Sequence, residues 1–305
     1  MAAAPSRHDD RKQRYGDWKP PPRYDCSLTA ADSRLQSAGP DGYDEGMSSE
    51  KATAYVLRVV EFSETSSVVT LFTREFGKIH ALAKGARRPK GPFESALDLL
   101  TLCRIVFLRK SSGTLDLLTE AKLQRRFRPR GHDLSSLYAG YYVAELLSEL
   151  TDDYDSHPEL FDAAEHTLEG LSGEGPIVWW IVRFELAALR LLGHLPSLEV
   201  CVECGRPVEP AGRVAFGLLA GGVLCGDCKS GKRQVVSISA GVLRAMIALA
   251  DSGNDRWRQL ALDPKTRGEL RAVLNHYLTH LLGHKPRMHE YLTGLTKSES
   301  EGTIG

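Results

Sequence analysis

No run of about 18 apolar residues occurs in this 305-residue sequence, so no membrane-spanning helix is expected. The first 26 residues are polar, charged and proline-rich, without the apolar core of a secretory signal. A phosphate-binding G-x-x-x-x-G-K-[ST] loop is missing, and Ser230-Gly-Lys232 does not supply one. The H-E-x-x-H and G-x-S-x-G motifs are missing as well, which leaves catalytic arrangements poor. There is no excess charge of either sign: 39 Lys and Arg balance 39 Asp and Glu. The whole-chain balance therefore points to no class of partner. Cysteine is scarce, at six residues.

Four of those six form two tight pairs, Cys201-Val-Glu-Cys204 and Cys225-Gly-Asp-Cys228. The spacing fits a tetrahedral site of four thiolates, each C-x-x-C knuckle offering two sulfurs to one zinc ion. Four thiolates close the coordination sphere, so such a zinc is structural. Gly205 and Gly226 sit where tight knuckle turns tolerate unusual dihedrals. A disulfide pair, a redox dithiol or a site that no longer binds its metal are the other readings of the same spacing. With only Cys26 and Cys103 left over, this cysteine usage suits a reducing cytoplasm.

The zero net charge conceals a segregation. From Arg74 to Arg130 there are 14 Lys and Arg against 5 Asp and Glu; from Ser135 to Val200 there are 12 Asp and Glu against 2 Arg. A basic nucleic-acid surface beside an acidic region with a different task is expected.

Residues 1–50 lack apolar periodicity and are expected to be a disordered extension. Met47 opens Met-Ser-Ser-Glu just before the first patterned segment; it reads equally as a start residue or as part of a longer extension. Residues 51–130 read as β, with strands over Thr53–Val60, Ser67–Thr73, Gly77–Lys84, Leu99–Leu108 and Thr114–Leu123. Five short strands in this space suggest a small barrel of the OB type. Residues 131–285 read as a helical domain. Leu137, Tyr141, Ala144 and Leu147 mark one helical face, and Ile177, Trp180, Ile181, Phe184, Ala188 and Leu191 another. The cysteine module, 199–233, interrupts these helices, and residues 286–305 read as a polar tail.

Candidate phosphate-binding residues cluster in the β region. Lys84, Arg87, Arg88 and Lys90 lie on one Gly- and Pro-containing loop, where the backbone approaches phosphates closely. Arg104, Arg109 and Lys110 belong to the fourth strand and its end, and Arg125, Arg126, Arg128 and Arg130 follow the fifth. Single-strand binding adds aromatic platforms. Phe72 and Phe107 read as core, whereas Phe76 and Phe93 are loop candidates. Two further clusters have weaker claims. His276, His280, His284 and His289 would be the site of a metal-dependent enzyme, although a mixed helix surface is the simpler reading. Asp152, Asp153 and Asp155 would bind a cation, or form a solvated helix end.

The ordered set of segments resembles the bacterial RecO DNA repair family from about Lys51 to Leu282. The N-terminal part is carried by Val56-Leu57, Val68-Val-Thr-Leu-Phe-Thr73, Gly77 and Ala83-Lys-Gly-Ala-Arg-Arg88. The helical part is carried by Glu145-Leu-Leu147, Leu160-Phe161, Phe184-Glu-Leu186 and Leu192-Gly-His-Leu-Pro196, with Gly221-Gly222 before the second cysteine pair. The long extension before Met47 departs from the family pattern. The resemblance implies an OB-fold joined to a helical domain carrying a zinc module. It further implies a non-enzymatic mediator that binds single- and double-stranded DNA and anneals complementary strands. The implied protein partners are RecR and the acidic, apolar-ended tail of single-strand DNA-binding protein, and the implied location is the cytoplasmic nucleoid. An RNA-binding OB and zinc-ribbon protein of ribosome or tRNA metabolism is the alternative.

Overall fold

The computed structural model describes residues 48–293, apart from 89–90, 92, 94–95, 111–114, 131–133, 174, 252–256 and 258–259. The expected extension up to Met47 and the tail beyond Thr293 lie outside that range.

Five strands come first: β1 (Ser48–Glu61), β2 (Ser67–Thr73), β3 (Gly77–Ala83), β4 (Leu102–Arg109) and β5 (Asp116–Arg125). Alternation sets their faces. In β3, Ile79, Ala81 and Ala83 are buried, while Lys78 and His80 turn away from the interior. The strand order is β1-β2-β3-β5-β4, and β4 pairs back onto β1, closing the sheet. The seam is short: β3 meets β5 in parallel over three residue pairs, Ala81–Asp116 to Ala83–Leu118. This five-stranded sheet followed by helices fits the expected OB-fold and helical domain.

One strand serves two neighbours. The first half of β1 pairs with β4, and its second half pairs with β2. The register slips between Val56 and Arg58, leaving Leu57 as an extra residue. Such a bulge bends a strand and sharpens its twist, which lets β1 turn the corner. Beyond the bulge, Arg58–Glu61 is an exposed edge paired with β2, whose other side pairs with β3.

Several strand boundaries differ from expectation by one or two residues, among them β5, which is Asp116–Arg125 rather than Thr114–Leu123, and two starts differ by more. β1 begins at Ser48, inside the segment expected to be disordered, because Ser48–Lys51 pairs with Val106–Arg109. β4 begins at Leu102 rather than Leu99, because Leu100 adopts a left-handed φ of 61° in the preceding turn.

The helices are α1 (Leu134–Leu150), α2 (Pro158–Ser172), α3 (Ile177–Leu191), α4 (Ala240–Ala250), α5 (Pro264–Leu282) and α6 (His289–Thr293). Helix α5 shows how the sequence sets its own limits. The Asp263 side chain accepts from the backbone N–H groups of Lys265 and Thr266, each at 3.0 Å, and Pro264 opens the first turn. Gly283, at φ 76°, ends it. Helix α6 lies within the span expected to be tail. It is held because Glu145 on α1 accepts from the Arg287 and Met288 N–H groups at 2.7 and 3.0 Å, and because His289 and Leu292 are buried.

Between α3 and α4 stands a three-stranded sheet of β6 (Arg213–Gly217), β7 (Gly222–Leu224) and β8 (Val235–Ser239), in the order β7-β6-β8. Its last residue, Ser239, caps α4 by accepting from the Val242 N–H.

Two apolar cores result. One fills the first sheet with Val56, Leu71, Ile79, Ile105 and Phe107. The other runs through the helices and takes in Tyr55, Leu57, Phe72 and Leu102 from the strands and Leu100 from the turn before β4. Phe161 of α2 joins them, with ring centroids 5.3 Å from Tyr55 and 6.2 Å from Phe72. At the β2–β3 turn the approach is closer still. A Cβ on Gly77 would stand 1.9 Å from the Asp155 carbonyl oxygen, and φ there is 69°. Only glycine serves at that contact.

Candidate nucleic-acid interface and cysteine centre

The basic residues divide into two groups once their neighbours are in place. The first group is held internally. Arg125 Nη2 lies 2.6 Å from Glu165 and 3.0 Å from the Tyr55 hydroxyl, and Nη1 contacts Glu169. Burial pushes Tyr55 up to about 12, and the Arg125 hydrogen bond opposes this. Arg126 lies 2.7 Å from Asp98. The Arg109 guanidinium covers the Tyr154 ring at 4.2 Å. Arg130 Nη1 donates to the Gly175 carbonyl at 3.1 Å. Arg87 Nη1 donates to the Ser63 carbonyl at 3.2 Å and lies 3.3 Å from Glu61.

The second group is exposed. Lys84, Arg88, Arg104, Lys110 and Arg128 face solvent, and their side chains have no ion-pair or hydrogen-bond partner among the described residues. Lys90 lies outside the described residues. Arg104 stands directly opposite Lys122 on β5, also exposed and unpaired among the described residues. Like charges facing each other across strands destabilise a sheet. Neither has an ion-pair partner among the described residues, and Glu120, two residues before Lys122 on the same face of β5, is also exposed. Lys122 was visible in the sequence as an outward position of the fifth strand, but its partner appears only from the register.

The aromatic expectations change. Phe93 is 4% exposed within the first-sheet core, and Phe76 sets its edge on Phe107 at 5.5 Å. Neither loop position offers an open ring, because the sheet interior needs their apolar volume. Phe62, on the β1–β2 connection, is 60% exposed.

The acidic segment also meets the basic one. Arg74 makes two 2.9 Å contacts with the Asp162 carboxylate of α2. This holds Asp162 below the usual carboxylate range. Lys78 Nζ donates to the Ser148 and Thr151 carbonyls at 2.8 and 2.6 Å, satisfying the end of α1, and Asp153 lies 3.6 Å away. Asp155 pairs with His157 at 2.9 Å. The Asp152–Asp155 loop is therefore part of the docking of strands on helices.

Around Tyr55 lies a cavity of about 590 Å³. Leu123, Phe127 and Leu168 supply apolar walls, and Arg125, Arg126 and Arg128 supply cations.

The four cysteines converge. Their Sγ atoms all lie within 4.8 Å of one another, and Cys204 and Cys225 are 3.8 Å apart. That separation exceeds any disulfide bond and matches the roughly 3.8 Å edge of a tetrahedron with metal–sulfur bonds of about 2.3 Å. The first knuckle closes through the Gly205 N–H donating to the Cys201 carbonyl at 2.8 Å, with Gly205 at φ 71°. The second closes through the Lys229 N–H donating to the Cys225 carbonyl at 3.2 Å. Gly226 is not left-handed, so the expected need for its flexibility does not arise. Hydrogen bonding from the Cys225 backbone brings Cys201 down to about 6, and the Arg206 guanidinium, 3.4 Å away, lowers Cys204. Cys228 is driven up to about 12, first by its contact with Cys225. Sulfurs this close cannot all ionise without a compensating cation. The donor set therefore fits a metal ion. These four form the sole group of three or more ligand residues close enough for one, among the described residues. His276 and His280 are exposed on α5, His284 lies 3.9 Å from Glu149, and His289 is buried 3.0 Å from the Tyr142 hydroxyl.

A buried polar network escaped the sequence reading. Arg271 Nη1 lies 2.6 Å from Glu185, which also accepts from the Tyr142 hydroxyl at 2.7 Å. Among the described residues no helix is long and apolar enough to cross a membrane.

Two family models account for most of the chain. Residues 47–127 match "Recombination protein O N terminal", and residues 131–290 match "Recombination protein O C terminal". A DNA repair protein RecO from Rhodopirellula baltica is 43% identical over 262 residues, covering 78% of this chain and 97% of the relative. One from Anaeromyxobacter dehalogenans is 35% identical over 246 residues, covering 81% and 96%. One from Moorella thermoacetica is 28% identical over 253 residues, covering 83% and 93%.

Proposed function

This chain belongs to the RecO family of DNA repair proteins, and on that footing we propose that it is a recombination mediator that binds DNA through its strand domain. The observation that carries the reading is the facing pair Arg104 and Lys122, exposed and without an ion-pair partner among the described residues. Lys84, Arg88, Lys110 and Arg128 extend the same unneutralised charge. Phosphates replace condensed counterions at such cations without reading sequence. Strand annealing then follows from charge neutralisation rather than from nucleotide hydrolysis, and it prepares single strands for recombinase loading with RecR.

The single-strand-binding protein's tail, acidic and apolar at its end, suits the cavity beside Tyr55, where apolar walls stand next to Arg128, the lining arginine left without a carboxylate among the described residues, Arg125 and Arg126 being paired with Glu165, Glu169 and Asp98. The ion between the cysteine knuckles is zinc. It would be held by Cys201, Cys204, Cys225 and Cys228, and with four sulfurs bound it would support folding rather than reaction. The work belongs in the cytoplasm, at the nucleoid.

The test is a fluorescence annealing assay with purified protein, complementary oligonucleotides and no ATP, run across a salt series. Annealing that needs no nucleotide and is suppressed by salt supports the reading; strict ATP dependence overturns it. Competition between matched single-stranded DNA and RNA separates a DNA mediator from an RNA-binding protein.

A further inference from the structure

Past its bulge, β1 runs on as an exposed edge strand over Arg58–Glu61, paired with β2, which pairs in turn with β3, and residues 62–66 form the turn at its end. The tip is folded on itself: the Phe62 and Ser63 N–H groups donate to the Ser66 carbonyl at 3.0 and 3.2 Å. The basic loop after β3 is fastened to it. The Arg87 N–H donates to the Thr65 carbonyl at 3.1 Å, and Arg87 Nη1 donates to the Ser63 carbonyl at 3.2 Å. Arg87 thus spends its charge on the tip and on Glu61, 3.3 Å away. Its neighbours Lys84 and Arg88 remain exposed and unpaired among the described residues, against Glu64 as the remaining acid of the tip.

Phe62 is held on this tip at 60% exposure, the highest among the exposed large apolar side chains of the described residues. Phe72, Phe93 and Phe107 are buried, and Phe76 is half-buried against Phe107. A phenyl ring left largely in water forgoes the stabilisation that burial would give. An open ring on a turn to which a basic loop is fastened, that loop carrying two cations unpaired among the described residues, has the composition of a single-strand platform: a π-face for a base and positive charge for the flanking phosphates. From this geometry we infer that Phe62 stacks on an unpaired base while Lys84 and Arg88 hold the adjoining phosphates. The inference rests on the DNA-binding reading and assigns it a single-strand contact point. Duplex DNA, with its bases stacked internally, has no face to offer the ring. Val59 and Val60 are exposed on the same edge strand, so a partner protein is the competing occupant. A leucine would satisfy such a partner but not a base.

The experiment compares Phe62→Leu, Phe62→Ala and Phe62→Trp in the full chain, using a fluorescein-labelled oligothymidine and a blunt duplex of equal length. Losing one stacked base is expected to weaken single-strand binding roughly five- to hundredfold in both the Leu and Ala variants. Their salt slopes and duplex affinities should match the parent. The Trp variant should retain affinity and show added fluorescence quenching on binding oligothymidine. Parental single-strand affinity in Phe62→Leu, or no added quenching in Phe62→Trp, overturns the inference while leaving the DNA-binding reading standing. If the parent itself binds neither oligonucleotide, the DNA-binding reading fails and carries the inference with it.

Discussion

Arg125 Nη2 at the end of β5 lies 2.6 Å from the Glu165 carboxylate on α2, forty residues further along the chain. A residue that the charge pattern offers to DNA is thereby a tie between strands and helices. Arg74 with Asp162, and Lys78 with the end of α1, do the same on the neighbouring edge. Part of the acidic helical segment exists to receive the basic strand segment.

Arg125→Ala should therefore act on stability. Both carboxylate contacts and the Tyr55 hydrogen bond are partly exposed, so a loss of about 1 to 2 kcal/mol is expected. Thermal unfolding should show the loss, while the dependence of DNA affinity on salt stays as in the parent. A flattened salt slope with unchanged stability would return Arg125 to the DNA surface.

Arg104→Ala should behave in the opposite way. Removing one member of the facing pair with Lys122 relieves repulsion, so stability should hold or rise slightly. Affinity should fall for all sequences alike, and the slope of log affinity against log salt should flatten by about 0.7 to 0.9 per lost phosphate contact. Titrations at several salt concentrations decide the matter, and an unchanged slope would make this face mere surface.

The double variant Cys204→Ser, Cys225→Ser removes one sulfur from each knuckle. Metal binding and local folding should be lost together, because such a site forms only with its ion. Metal analysis should find zinc near one per chain in the parent and well below that in the variant. Limited proteolysis should cut within 199–233. Full zinc retention would remove the four-sulfur assignment.

Glu185→Ala should be among the most damaging single changes outside the apolar core. It strands the buried Arg271 guanidinium and leaves the Tyr142 hydroxyl without its acceptor. Breaking one partner of a buried pair costs about 3 to 5 kcal/mol. Chemical denaturation would measure it, and a loss under about 1 kcal/mol would mean that water reaches the pair.

His289 gives stability a pH dependence of known sign. Burial, with Arg271 and Lys285 nearby, lowers it to about 4 from the usual 6.5. Between those values the unfolded chain takes up a proton that the folded one refuses. Stability present above pH 6.5 is therefore lost as pH falls toward 4, by at most about 3 kcal/mol. His289→Asn should show a shallower decline over the same window in urea unfolding. A decline as steep as the parent's would assign it to other groups.

Much of this architecture was legible beforehand because its signals are local. Ser67–Thr73 is the second strand as read, the face marked by Ile177, Trp180, Ile181, Phe184, Ala188 and Leu191 falls on one helix, and two C-x-x-C knuckles converge on one centre. The helix of His289–Thr293 was missed, since five residues carry too little periodicity and its support comes from Glu145, far off in the chain.

The sequence by itself determined the strands, the long helices and the cysteine centre, because alternation, capping and short ligand spacing act within a few residues. The tertiary structure alone decided which cations remain free and which aromatic ring faces water. Arg74 and Asp162 are 88 positions apart, and Arg104 meets Lys122 only through strand register. Ion pairing and burial depend on distance in space, and closing the strand sheet and docking it on the helices set those distances.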